Sequence, residues 1–96
     1  MMILSVPITM QIPRQLRDLC DGAATLAIAA STVRDALEEM ERRHPSIHRS
    51  ICDETGRLRR HINLFVNSSL MRELQGLETV LESGDVITIL PAVSGG

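Results

Sequence analysis

Residues 84–96 read GDVITILPAVSGG. The run from Asp85 to Leu90 is rich in β-branched and aliphatic residues, so it predicts a strand. Pro91, which has no N–H for a ladder, closes it. The last five residues, Ala92, Val93, Ser94, Gly95 and Gly96, are small and uncharged. The expectation is a domain over residues 1–91 with a flexible C-terminal tail over 92–96. Average glycine usage produces a terminal Gly-Gly in roughly one chain in 200, so the dipeptide needs support from the rest of the chain.

Upstream, HINLFV predicts a strand with Ile62, Leu64 and Val66 on one face and Asn63 and Phe65 on the other. The NSS triplet turns it into a short strand around Leu70 to Arg72, and QGLETVLESGD holds one helical turn. The clearest helix begins after Thr32, whose hydroxyl suits an N-cap, with Asp35 three residues on. Val33, Ala36, Leu37 and Met40 recur at helical spacing, and Pro45 stops the helix near His44. Glu38 with Arg42, and Glu39 with Arg43, are expected to pair across the outer face. The stretch from Pro45 to Arg60 reads as a polar connection with Ile47 and Ile51 turned inward.

At the N-terminal end, Leu4, Val6, Ile8 and Met10 alternate with polar residues in a first strand. Pro7 is expected to shorten or bulge it. RQLRDL suggests a helical turn, Asp21-Gly22 a turn, and ATLAIA a second strand. The order is ββαβββ. It predicts an α+β fold, a mixed four- to five-stranded sheet with one main helix packed across it.

Composition narrows the function. The chain of 96 residues carries net charge −2, with no electrostatic case for nucleic acid or an anionic membrane. All the basic side chains other than histidine are arginine, which excludes lysine Schiff-base or P-loop chemistry on this chain. Cys20 and Cys52 each sit beside acidic residues, which raise thiol pKa, so neither resembles an activated nucleophile. No signal peptide and no apolar run near 20 residues is evident, so a cytoplasmic location is expected. His44, His48 and His61 have no partners at metal-ligand spacing and read as surface or hydrogen-bonding residues. Arg57, Arg59 and Arg60 form a basic run, a solvated face or a means of steering an acidic partner. No cofactor-binding or metal site is expected.

That leaves the tail. A slim, uncharged arm can lie extended in a narrow channel of another protein, and its terminal carboxylate becomes reactive once converted into an activated acyl species. Three stretches, TVRDALEEMERRHPSI, DETGRLRRHINLFVNSS and LQGLETVLESGDVITILPAVSGG, together resemble the MoaD/ThiS family of sulfur carriers, ubiquitin-like β-grasp proteins. The VPI…IPRQLRDLCDG opening is similar to the CysO-type carriers of cysteine biosynthesis. The resemblance implies that Gly96 carries an adenylate and then a thiocarboxylate, and that Gly95 keeps the arm slim. It also implies that the chain is a substrate protein, not an enzyme. Its partners would be a ubiquitin-activating-like adenylating enzyme that uses ATP and a sulfur-accepting biosynthetic enzyme, cysteine synthase-like or pterin-binding. A hydrophobic sheet face would serve for docking. The alternatives are a small subunit of molybdopterin synthase, a protein modifier conjugated through Gly96, and a plain β-grasp binding module.

Overall fold

The computed structural model describes residues 5–91. Two strands, β1 (Val6–Gln11) and β2 (Thr25–Ala30), precede two helices, α1 (Val33–Arg43) and α2 (Pro45–Ile51). Then come β3 (Ile62–Val66), a two-residue β4 (Ser69–Leu70) and β5 (Val86–Pro91). The sheet order is β2-β1-β5-β3-β4, with β1 and β5 parallel and the other neighbours antiparallel. The α+β architecture expected from the pattern is the one observed.

Helix α1 forms where its stripe is. The Thr32 hydroxyl accepts the Asp35 N–H at 3.1 Å, while the Asp35 carboxylate accepts the Ser31 N–H at 2.8 Å. The acid thus reaches one residue beyond the cap itself, a displaced capping box. Val33, Ala36, Leu37 and Met40 are buried against Ile8, Met10 and Ile28 of the first hairpin and Leu64, Ile87 and Ile89 of the later strands. Among the described residues no phenylalanine, tyrosine or tryptophan is buried in the interior, and the unbranched side chains of Met10 and Met40, both fully buried, fill it between the branched ones. The lone aromatic, Phe65, is half-buried on the opposite face of the sheet.

Several expectations change. Pro7 does not shorten β1, which runs through it and pairs with β2 along its length. Thr9 donates to the Asp85 carbonyl at 3.0 Å, and the Pro7 carbonyl accepts from Gly84 at 2.9 Å. Alternation therefore aims the Pro7 nitrogen at the β5 side, just ahead of the first residue of β5, where no ladder donor is required.

The polar connection after Pro45 contains a helix. Proline is tolerated at the first helical position, where its missing N–H would have no partner. Ile47 and Ile51, four apart, are both buried. The short strand ends at Leu70, and Met71–Glu73 turns as a 3-10 segment.

The two outer-face ion pairs of α1 are not the ones formed. Arg42 meets Glu39 at 2.8 Å, and Arg43 donates to the Ala27 carbonyl at 3.2 Å, covering the outer edge of β2. The turns at Arg14–Cys20 and Gly76–Glu78 lie where helical turns were expected.

Candidate functional site at the end of the central strand

Strand β5 lies at the centre of the sheet, between β1, which pairs with Val86 to Thr88, and β3, which pairs with Ile87 to Pro91. Thr88 pairs with Gln11 of β1 and with Phe65 of β3. Ile87 and Ile89 anchor β5 in the core, while Val86, Thr88 and Leu90 face the side that α1 leaves open. The last rung is Pro91 opposite Ile62. The described chain therefore ends on the central strand. Ala92 to Gly96, including the sequence-selected Gly95 and Gly96, lie outside the described residues.

The open face around that exit is a continuous strip. Leu90 is 46% exposed. Phe65 lies beside Thr88, and Leu70 is opposite Phe65. The Thr88 hydroxyl donates to the Gln11 side-chain oxygen at 3.0 Å, so the polar groups within the strip satisfy each other. At its end a groove of about 290 Å³ opens beside Leu90, with Pro13 and Arg17 on its far wall. Arg17 is held there by donating from Nε to the Ile12 carbonyl at 3.0 Å. The strip is apolar, and the cation of Arg17 is fixed beside its end next to Leu90. Sequence alternation alone puts 86, 88 and 90 on one face with 65. It cannot say which face α1 covers, so the exposure of these residues was not legible from it.

The opposite side of the domain places the remaining polar residues. Asp53 organises the loop after α2: its carboxylate accepts from the Thr55 hydroxyl at 2.6 Å and from the Thr55 and Arg57 N–H groups. Those hydrogen bonds, the Thr55 hydroxyl first, hold the Asp53 pKa below its usual value. Cys52, only 1% exposed, goes the other way. Burial, reinforced by Asp53 and Glu41, pushes its thiol up to about 11 against the opposing pull of Arg59. The Cys20 thiol is buried and donates to the Ala23 carbonyl at 3.4 Å. Neither sulfur is a nucleophile in waiting.

Among the histidines, expected as surface or hydrogen-bonding residues, His48 is buried on α2, His44 occupies the N-cap position of that helix, and His61 is exposed. Among the described residues no group of three His, Cys, Asp or Glu side chains could hold a metal ion, and no helix is long and apolar enough to cross a membrane. Arg57, Arg59 and Arg60 are all exposed, with Arg59 tied to the Arg49 carbonyl at 3.1 Å.

A mixed five-stranded sheet in the order β2-β1-β5-β3-β4, one principal helix across one face and an apolar strip on the other define a ubiquitin-like β-grasp domain. The chain belongs to the ThiS family of such carriers, whose model matches residues 10–96. It is 33% identical over 91 residues to the sulfur carrier protein CysO of Mycobacterium tuberculosis, covering 93% of this chain and 98% of that one. Its structure is similar to a chain of the BexX/CysO complex from Amycolatopsis orientalis, with a TM-score of 0.83, 37% identity and coverage of 93% and 99%. It is similar also to small archaeal modifier protein 1 from Methanosarcina acetivorans, with a TM-score of 0.84, 30% identity and coverage of 96% and 98%.

Proposed function

We propose that this chain carries sulfur as a thiocarboxylate on Gly96 and gives it up in a biosynthesis of the cysteine type. The observation that supports this most is that the family match extends through Gly95 and Gly96, while the described residues before them carry an exposed apolar strip on β5 and no metal-binding cluster. In the proposed cycle a partner enzyme joins the Gly96 carboxylate to the AMP portion of ATP and releases pyrophosphate. A sulfide-level sulfur nucleophile then displaces AMP, leaving the thiocarboxylate. The arm needs no β-carbon at its last two positions because the partner's active site must close around it. The chain's own part is to hold the root of that arm on β5 and to present Leu90, Phe65 and Leu70 to each partner in turn. It is a substrate of other enzymes, acting in the cytoplasm.

Similarity to small archaeal modifier protein 1 favours a second reading, conjugation of Gly96 to amines of other proteins. It needs the same activated carboxyl group. Intact-mass spectrometry after incubation with an adenylating enzyme, ATP and a sulfur donor tests the first. The expected result is a mass gain equal to one oxygen replaced by sulfur, abolished when Gly96 is removed. No gain under conditions that convert an established carrier would refute it. Lysine side chains of other proteins bearing a branched peptide from this tail would instead establish the modifier.

A further inference from the structure

The basic run Arg57-Leu58-Arg59-Arg60 lies beside a stretch of β3 that β4 does not reach. Strand β3 is paired with β5 over its whole length, whereas β4 reaches only Phe65 and Val66 before the chain turns into the 3-10 segment at Met71. The Asn67 N–H points to β5, donating to the Val86 carbonyl at 2.7 Å. By alternation Phe65 and Asn63 direct their backbone groups the same way, and Leu64 and Ile62 direct theirs outward. The Ile62 N–H is taken by the Arg59 carbonyl at 3.0 Å. The Leu64 N–H and the Ile62 carbonyl face outward where no strand is paired among the described residues, with Met71 of the 3-10 segment next to Leu64 in the β4 register.

Along this edge runs a cavity of about 230 Å³, room for one aliphatic side chain between Leu58, Leu70 and Met71. Arg59, Arg60 and Arg72 stand around it, and no carboxylate lines it. Among the described residues, neither Arg60 nor Arg72 has an acidic partner within 4.0 Å. In a chain of net charge −2 this is a local reversal of sign. The contrast with the other end of the sheet is direct, since there Arg43 turns back onto the Ala27 carbonyl and covers the edge of β2. An exposed strand edge is ordinarily blunted in this way because it invites pairing.

We infer that the outer edge of β3 is a docking site for an extended acidic segment of a partner protein. The segment adds a short strand against Leu64, seats one aliphatic side chain in the cavity and sets carboxylates against Arg60 and Arg72. Main-chain hydrogen bonds supply the alignment, and the arginine forks supply the choice of charge. The site adjoins the strip around Leu90: it shares Leu70 with that strip, and Asn63 and Ile62 on its wall pair with Leu90 and Pro91.

The test uses the full chain, labelled with nitrogen-15, and a capped peptide alternating glutamate and valine as the probe. Binding is expected to shift the Leu64 amide most and to slow its hydrogen exchange. Double charge reversal, Arg60→Glu with Arg72→Glu, should weaken binding by about tenfold, in line with two exposed ion pairs lost. Both arginines are exposed, and circular dichroism checks that the variant keeps its fold. A peptide with alternate backbone nitrogens methylated keeps the charge and should not bind; nor should a lysine-valine peptide. The inference is overturned if shifts centre on Phe65, Thr88 and Leu90, if charge reversal leaves affinity unchanged, or if the methylated peptide binds equally well. It is overturned too if a single-stranded oligonucleotide displaces the peptide at lower concentration. None of these readouts depends on sulfur loading of Gly96.

Discussion

Asn67 offers the sharpest test of how the arm-bearing strand is held. It sits in the left-handed region at φ 55°, at the two-residue turn between β3 and β4. Its side-chain oxygen accepts the Val86 N–H at 3.0 Å, and its amide nitrogen donates to Asp85 at 3.1 Å. One residue thus makes the β3–β4 turn and clamps the start of β5. Replacing Asn67 with Ala forces a β-carbon residue without local hydrogen bonding into that conformation, at about 1 kcal/mol. It also removes two hydrogen bonds worth about 0.5–1 kcal/mol each at this solvent-accessible site. Asn67→Ala should therefore cost about 2–3 kcal/mol, and Asn67→Gly, which keeps the turn, about 1–2 kcal/mol. For a domain of this size that is a drop in Tm of roughly 10–20 °C for the alanine variant.

Asn67→Asp keeps the acceptor for Val86 but faces Asp85 with a second carboxylate. The double variant Asn67→Asp/Asp85→Asn reverses donor and acceptor and should recover most of the loss. With no tryptophan or tyrosine in the chain, urea unfolding followed by far-ultraviolet circular dichroism is the assay. If the glycine variant is as unstable as the alanine one, or the alanine variant lies within about 0.5 kcal/mol of the parent, the clamp carries no such weight and the reasoning fails.

Further outcomes are expected from the packing and the titrations. Met40→Ala empties a fully buried position under the sheet and should destabilise by about 2–5 kcal/mol in the same urea assay, whereas a loss under 1 kcal/mol would mean the core collapses around the gap. The Cys52 thiol titrates at about 11 in the folded chain against an ordinary 9.0, so any stability tied to its neutral form is complete below 9.0 and declines as pH rises toward 11; alkylation at pH 8 should reach Cys52 only after unfolding. Asp53 is lowered from 3.8, so its contribution is complete above that value and is lost as acid carries the pH through the folded titration. Thr55→Val should raise the carboxyl titration followed by NMR. Leu90→Glu, at a 46% exposed position, should leave stability within about 0.5 kcal/mol while slowing the thiocarboxylate mass gain, and an unchanged rate would remove Leu90 from the docking strip.

Much of this domain is legible along the chain because its information is local. The stripe Val33, Ala36, Leu37, Met40 and the cap at Thr32 specify α1, and the alternations at Ile62–Val66 and Val86–Leu90 specify β3 and β5, since periodicity and capping act within a few residues. The slim C-terminal residues and the family pattern were legible in the same way. Helix α2 was missed because a proline that ends one helix is also a good start for the next, and PSIHRSI has only Ile47 and Ile51 to mark its buried face.

Only the tertiary structure decided the rest. It chose which face of β5 the helix covers, and so made Leu90, Phe65 and Leu70 the open strip. It brought Glu41 of α1 toward Cys52, set Pro7 against the gap ahead of β5, and joined Asn67 to Asp85 across 18 residues. It also stopped β4 at Leu70 and brought Leu64 together with Met71, Arg60 and Arg72 around one cavity. Each of these depends on the register between strands distant in sequence. Register is set by the summed packing of the whole sheet on α1, a quantity that no short window of residues contains.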